Sequence, residues 1–290
     1  MAQPQITATL LFTILPNLDL SSLARRINAR MPGLDLAPAQ DGQAEPTRAR
    51  QTSRLTSRQT SGLTSGKAEV TITTSPAPLG AEAFCGAITP DTPAATRAAL
   101  IGIVGRHGGW VRFAIQATGP ADPTDTAKTV RLQQRLAHAC AAELARLHPP
   151  LALHWGPTNR LMQRAAFDPM VEDDAPIALF LAASDEITGQ RRLPGLRIHG
   201  AQPWLGLDLH AQLGALPREV VRHAALAFVK AARASAAVVD GQSFHHAGQS
   251  FRIAHAADTD RIDLIPAAQT PLVAAPHPRA LDMLRTRATA

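Results

Sequence analysis

Tyrosine is absent from this chain of 290 residues, which contains only two cysteines and no long apolar run. Cys85 and Cys140 lie far apart and form no C-x-x-C pair, which argues against a disulfide framework or a zinc finger and favours reduced thiols. No apolar segment approaches the roughly 20 residues that a membrane span requires. Because the N-terminus also lacks the basic segment and cleavage site of a signal peptide, we expect a cytoplasmic protein of bacterial type with no membrane partner.

The net charge of +6 raises the question of nucleic-acid binding, but the positive charge is unevenly distributed. The segment Pro46–Lys67 holds five basic residues and no acidic residue, so it accounts for most of the excess. A nucleic-acid-binding domain usually carries a basic face on its folded body, often with stacking aromatic residues. Since the excess lies in one tail-like segment, the sequence argues against nucleic acid as a partner.

A tandem repeat interrupts the first half of the chain. Gln51–Arg58 (QTSRLTSR) and Gln59–Gly66 (QTSGLTSG) repeat an eight-residue unit that is rich in Ser and Thr. Such a segment buries too little apolar surface to offset the entropy lost on ordering, so residues 34–67 are predicted to be a disordered insert. A phosphorylated or anion-binding arm is the functional alternative.

Hydrophobic periodicity predicts the elements of residues 1–170. Residues 6–15 alternate between apolar and polar positions, which predicts a strand, and Leu20, Leu23 and Ile27 predict a helix capped by Asp19 or Ser21. A second, long helix is predicted from Thr124 to the stop at Pro149-Pro150, and the remaining strands are predicted at Ala68–Ser75, Ala98–Val104, Trp110–Thr118 and Leu151–Trp155. Without the insert the order is β-α-β-β-α-β, with an extra stretch before the third strand that includes Ala98–Val104. A ferredoxin-like split sheet is the economical arrangement for this order.

A second α+β half is predicted for residues 171–270, packed against the first, with a flexible tail at 271–290. Its predicted helix is Pro217–Ala237, and its predicted strands are Ile177–Ala183, Leu196–Gly200, Trp204–His210, Ser250–His255 and Arg261–Ile265. The predicted fold class is therefore α+β throughout.

Several short motifs in this order resemble an uncharacterised bacterial family, domain of unknown function 4261. These motifs are Pro76-Ala77-Pro78 after a strand, the long helix leading into Leu153–Asn159, the segment Gly195–Gly200, the helix from Pro217, and Asp240-Gly241. The resemblance spans residues 6–265 and leaves the repeat at 51–66 outside the pattern. It implies an α+β fold and implies no activity and no catalytic residue.

The sequence contains no strong catalytic motif, and we predict no catalytic residue and no cofactor. Gly62–Lys67 departs from the Walker pattern in its spacing and in the Ala68 that follows, and there is no G-x-S-x-G elbow. His154, His199, His210 and His255 lie near predicted strand ends, so they are weak candidates for a metal site. The alternative is that they are structural histidines held by hydrogen bonds.

The turn Trp155–Arg160 is the leading candidate for a binding site, with Trp155, Asn159 and Arg160 as its functional residues. An indole face and a guanidinium group at a strand end could hold a carboxylate or an aromatic group of a partner. Trp204 is a further candidate. In the alternative interpretation, the two tryptophans fill the core and the turn only reverses the chain.

These observations favour a non-enzymatic interaction or accessory protein with an unidentified protein partner. Toxin neutralisation or support of a secretion system is the expected kind of role, by analogy of size only. The alternative is a hydrolase or metal-dependent enzyme that uses the scattered histidines together with Asp240. Convergence of two or more of the four histidines in one pocket would favour the enzyme.

Overall fold

The structure is a computed structural model that describes residues 5–38, 59–65, 68–88, 92–118, 126–188, 193–234, 238–256 and 260–267. The predicted flexible tail at 271–290 lies outside these residues, as does the part of the predicted insert at 39–58. The described chain is α+β, as predicted, with two sheets and a layer of helices on each. Among the described residues, no helix is both long enough and apolar enough to span a bilayer.

The first half forms a seven-stranded antiparallel sheet in the order β2-β3-β4-β5-β1-β6-β7. The strands are β1 (Ile6–Phe12), β2 (Ala37–Pro38), β3 (Gln59–Thr64), β4 (Ala68–Ser75), β5 (Gly109–Ala117), β6 (Ala152–Trp155) and β7 (Arg160–Gln163). The helices are α1 (Leu20–Arg30), α2 (Ala94–Arg106), α3 (Thr126–Leu147) and the single turn α4 (Arg164–Phe167), with 3-10 turns at Ala81–Phe84 and Asp168–Met170. The inner order β4-β5-β1-β6, with α1 after β1 and α3 after β5, is consistent with the predicted ferredoxin-like arrangement.

Strand β1 is an inner strand of this sheet, between β5 and β6, and its alternation gives it one apolar face. Leu10 pairs with Val111 on β5 and with Leu153 on β6, and all three side chains are fully buried. Thr9 points to the opposite face, where its hydroxyl accepts a hydrogen bond of 3.1 Å from Arg112 Nε. Helix α1 starts where the sequence predicts, since the Asp19 carboxylate accepts hydrogen bonds from two backbone N–H groups of the first turn.

The second half forms a six-stranded sheet in the order β11-β12-β13-β10-β9-β8, in which β10 and β13 run parallel and the other pairs antiparallel. Its strands are β8 (Ala182–Thr188), β9 (Leu193–His199), β10 (Asp208–Gln212), β11 (Ser243–His246), β12 (Gln249–His255) and β13 (Arg261–Pro266). Its helices are the single turns α5 (Ile177–Phe180) and α6 (Gln202–Leu205) and the long α7 (Arg218–Ala234).

The two sheets enclose the helices, so that the layers run from the first sheet through α1 and α3, then α6 and α7, to the second sheet. Helix α3 packs on β1 and β5 with one side and on α6 with the other. Every residue from Gln133 to Ala145 except Arg135 is buried. Apolar residues of both sheets, such as Phe113 and Phe251, belong to one continuous core. The two halves therefore pack as one unit.

A smaller core on the outer face of the first sheet corrects one prediction. The segment Ala98–Val104, predicted as a strand, lies within helix α2, and its Leu100 and Ile103 pack on Trp110 and Leu11. The prediction was wrong because a short apolar run has no period that distinguishes a strand from a helix.

Three further predictions need correction. Ile177–Ala183 begins with the helical turn α5 and joins β8 only at its end, because Pro176 precedes a turn closed by main-chain hydrogen bonds. Trp204–His210 is divided by Gly206, whose left-handed φ of 79° ends α6 before β10 begins. The insert is not wholly disordered, since Gln59–Thr64 pairs with β4 along its length and Leu63 is fully buried.

An ion network centred on Glu143 ties α1 and α3 to the segment before the second half. The Glu143 carboxylate is 4% exposed and lies 3.5 Å from Arg30 Nη1, with Arg146 in direct contact. Arg146 also pairs with the exposed Glu172, and Arg30 Nη2 donates to the Asp173 carbonyl oxygen at 2.9 Å. Such buried pairs depend on keeping both partners, because a single charge left alone in the interior is costly.

We expect Glu143→Gln to lower the free energy of unfolding by about 3 kcal/mol, since it removes the buried carboxylate beside Arg30 and leaves that side chain with only the exposed Asp174 at 3.8 Å. Urea denaturation measures the change. Glu172→Gln is the matched control in the same network, and its loss should be clearly smaller because an exposed pair is screened by water. Equal losses for the two variants would contradict the assignment of Glu143 as the centre of the network.

His138 supplies a second prediction because it lies in the core between the two halves. Burial lowers the pKa of His138 to about 3, and the positive charge of Arg30 acts in the same direction. Its Nε2–H donates to the Met170 carbonyl oxygen at 2.9 Å. The imidazole therefore stays neutral in the folded protein at pH values where it is protonated in the unfolded chain.

The unfolded state binds the extra proton, so the free energy of unfolding should fall as the pH decreases from about 6.5 to about 3. We expect His138 to contribute roughly 4 kcal/mol to that fall. Denaturation curves over this range for the wild type and His138→Leu measure the contribution, and the slope should be shallower in the variant. The exposed His223 on α7 gives the control His223→Leu, which should keep the wild-type slope. A wild-type slope in His138→Leu would refute the prediction.

Candidate functional site

The side chain of Trp155 fills the core and does not face solvent. It is fully buried, and its ring lies 5.6 Å from that of Phe180. A partner therefore has no access to the indole in this structure. The geometry supports the alternative interpretation of Trp155, in which it packs the junction between the two halves.

The neighbouring Asn159 and Arg160 make contacts within the chain. Asn159 has a positive φ of 44°, and its side chain donates to the Cys85 carbonyl oxygen at 2.9 Å while accepting from His154 Nε2 at 2.9 Å. Arg160 Nη1 donates to the Ala178 carbonyl oxygen at 3.2 Å. Burial lowers the pKa of His154, which favours its neutral form. The turn thus connects the edge of the first sheet to the end of the 3-10 turn Ala81–Phe84 and to α5.

Trp204 occupies a different position, because it belongs to the core and also reaches a cavity. Its ring stacks on Phe180 at 5.4 Å, the Arg233 guanidinium lies 5.6 Å from its centroid, and its Nε1–H donates to Gln134 Oε1 at 3.1 Å. Only 8% of the residue is exposed. So little free surface excludes full stacking of a ligand on the indole, but the indole can hold Arg233 in place.

The cavity beside Trp204 has a volume of about 640 Å³ and lies where α3 faces α6 and α7. Four basic residues line it, namely Lys128, Arg131, Arg135 and Arg233, and we call this cavity the basic cleft. Apolar groups and one histidine complete the lining, which is formed by Leu132, Trp204, Leu205, Leu207, Ala232, Val238 and His255. Among the residues that the structure describes, no acidic residue is part of the lining.

Three of these cations have no carboxylate partner among the described residues. Arg131 Nη1 donates to the Pro203 carbonyl oxygen at 2.8 Å, and Arg233 Nη1 donates to the Ala175 carbonyl oxygen at 3.3 Å. Arg135 is exposed and lies within 4 Å of no described carboxylate. Elsewhere arginines do find carboxylates, as Arg218 does with Asp185 at 2.8 Å. The basic cleft therefore concentrates positive charge, and the described residues place no carboxylate within 4 Å of these three guanidinium groups.

The basic cleft lies near the N-terminus of α3, and this position adds to its positive electrostatic potential. Lys128 and Arg131 lie in the first two turns of the helix, where the peptide dipoles already contribute partial positive charge. The first turn contains no acidic residue to offset it. An anionic group bound here would relieve the repulsion and would accept charge-assisted hydrogen bonds.

The four histidines proposed as metal ligands lie in separate places. His154 is on the first sheet, whereas His199 bonds to Ser184 Oγ at 2.7 Å and His210 Nδ1 lies 3.1 Å from Glu186 on the second sheet. Of the four, only His255 lines the basic cleft. Across the described ranges, no three His, Cys, Asp or Glu side chains are close enough together to hold a metal ion. The carboxylate of Asp240 accepts from the backbone N–H of His255 at 2.8 Å, so its contact is with the main chain.

Sequence reasoning found Trp204 and missed the arginines around it. One signal was available, because Lys128, Arg131 and Arg135 recur at helical spacing and so share a face of α3. Arg233 had no such signal, since it comes from a helix in the other half of the chain.

Comparison with known proteins adds no assignment to this geometry. No family model, no curated protein and no solved structure matches the chain. The resemblance to the uncharacterised bacterial family therefore stays a prediction, and the functional interpretation depends on the residues of the basic cleft.

Proposed function

We propose that this chain is a non-enzymatic interaction protein that binds an acidic protein partner in the basic cleft. One observation carries the proposal: Arg131, Arg135 and Arg233 converge on a cavity with no described carboxylate to pair with any of them. Carboxylates of a partner would pair with these guanidinium groups and relieve their mutual repulsion. Complementary charge would also speed association and set its specificity.

The composition of the cleft favours protein over nucleic acid as the partner. Binding of single strands normally uses exposed aromatic platforms, and Trp204 is too buried to serve as one. The cleft is also concave and partly apolar, which suits an inserted side chain better than a phosphate backbone.

The placement of the histidines gives less support to a hydrolase or metal-dependent enzyme. His154, His199 and His210 each have a hydrogen-bonding or charged neighbour in the chain, and they are spread over two sheets. Asp240 contacts the main chain of His255, so these two do not form an acid–base pair in this geometry. Binding without chemistry is the simpler use of the site.

We also propose that the protein works in a reducing compartment, the cytoplasm, in a role such as toxin neutralisation or support of a secretion system. The state of its cysteines supports this compartment, because Cys85 and Cys140 are both free thiols and Cys85 is exposed. The specific role is proposed from size and charge alone.

The charge of Arg135 provides the test. A fluorescein-labelled poly-glutamate peptide should bind the full chain, and Arg135→Glu should weaken that binding about tenfold because one attractive charge becomes repulsive. Fluorescence anisotropy at low salt measures the dissociation constant, and added salt should weaken binding.

Arg25 is the matched control, since it is also an exposed arginine on a helix and does not line the cleft. Arg25→Glu changes the net charge of the protein by the same amount and should leave binding close to the wild-type value. If the two variants weaken binding equally, the peptide responds to net charge and the cleft is not its site.

A further inference from the structure

We infer that the basic cleft recognises an acidic segment that inserts one apolar side chain between its carboxylates. This inference rests on the proposed function and specifies the chemistry of the partner. The lining of the cleft combines cations from two different helices with apolar residues. We call three of these apolar residues, Leu132, Leu207 and Val238, the floor of the cleft.

The floor is unusual for a site that needs only to bind charge. Leu132, Leu207 and Val238 are partly buried residues packed against the main core, and each still faces the cavity. Covering apolar surface in a concave site with another apolar group lowers the free energy, because it removes both surfaces from water. A free inorganic anion would leave this surface uncovered.

The size of the cavity agrees with a larger ligand. A volume of about 640 Å³ falls within the range of roughly 300–1,000 Å³ that is usual for pockets enclosing organic ligands. One carboxylate or phosphate would fill a small part of that space. An inserted apolar side chain with flanking acidic residues would contact both the floor and the cations.

The arrangement of the cations fits carboxylates on both sides of the inserted group. Arg131 and Arg135 are four residues apart on α3, so they lie about one turn from each other on the same face. Arg233 reaches the cavity from α7 and is oriented by Trp204 and by the Ala175 carbonyl oxygen. A guanidinium held in place loses less conformational entropy on binding a carboxylate.

The test compares three probes of equal charge on the full chain. Two are labelled peptides with two glutamates on each side of a central leucine or a central serine, and the third is a single-stranded oligonucleotide. At matched salt the leucine peptide should bind about tenfold more tightly than the serine peptide. The oligonucleotide should bind more weakly than the leucine peptide.

Variants of two adjacent valines locate the effect. Val238 lines the cleft, whereas Val239 is 47% exposed and does not line it. Val238→Gln should abolish the preference for leucine over serine, and Val239→Gln should retain it. Circular dichroism confirms folding; if Val238→Gln does not fold, the two peptides on wild-type protein decide the question.

The outcomes separate this inference from the proposed function. Equal binding of the leucine and serine peptides, with both sensitive to Arg135→Glu, overturns the apolar insertion and leaves the acidic protein partner in place. Peptide binding that is insensitive to Arg135→Glu overturns both. Tightest binding of the oligonucleotide, with the same sensitivity, makes nucleic acid the partner and also overturns both.

Discussion

Burial of α3 on nearly every side is the constraint on which the rest of the structure depends. Its middle section is rich in alanine, with Leu136, Cys140 and Leu144 between the small side chains, so neighbouring elements can approach closely on more than one side. The polar side chains of this section, Gln133, Gln134, His138 and Glu143, are buried as well. The first sheet covers one side of the helix and α6 of the second half covers the other, so neither half completes its core alone.

The charged residues of α3 are distributed according to that burial. Towards its C-terminus, Glu143 is enclosed by arginines from α1 and from α3 itself, and the exposed Glu172 and Asp174 supply further carboxylates to these arginines. Towards its N-terminus, Lys128, Arg131 and Arg135 face a cavity whose described lining contains no acidic residue. A single helix thus carries a paired ion network at one end and, at the other, two arginines (Arg131 and Arg135) that have no carboxylate within 4 Å among the described residues. In our proposal, this second end receives the partner.

Local sequence patterns correctly predicted those helices and strands whose formation depends mainly on residues within the element itself. The strand β1, the Asp19 cap and the long helix α3 were all confirmed, because hydrophobic period and capping act within one element. The prediction of a strand at Ala98–Val104 was wrong because a short apolar run has no period that distinguishes a strand from a helix. Its partners in the fold, Trp110 and Leu11, belong to other segments. The candidate site followed the same rule. Trp204 was recognisable by residue type, but its neighbour Arg233 is brought beside it only by the packing of α7 on α6.

The stack of Phe180 on Trp204, with Trp155 beside Phe180, links the wall of the basic cleft to the interior of the molecule. A ligand bound in the cleft would contact α3 from the first half and α7 from the second, so it would connect the two halves. A ligand that binds only when the two halves are packed together stabilises that packing by mass action, and the added free energy grows with the logarithm of the ligand concentration. If the proposed partner binds there, its binding and the association of the two halves are thermodynamically coupled.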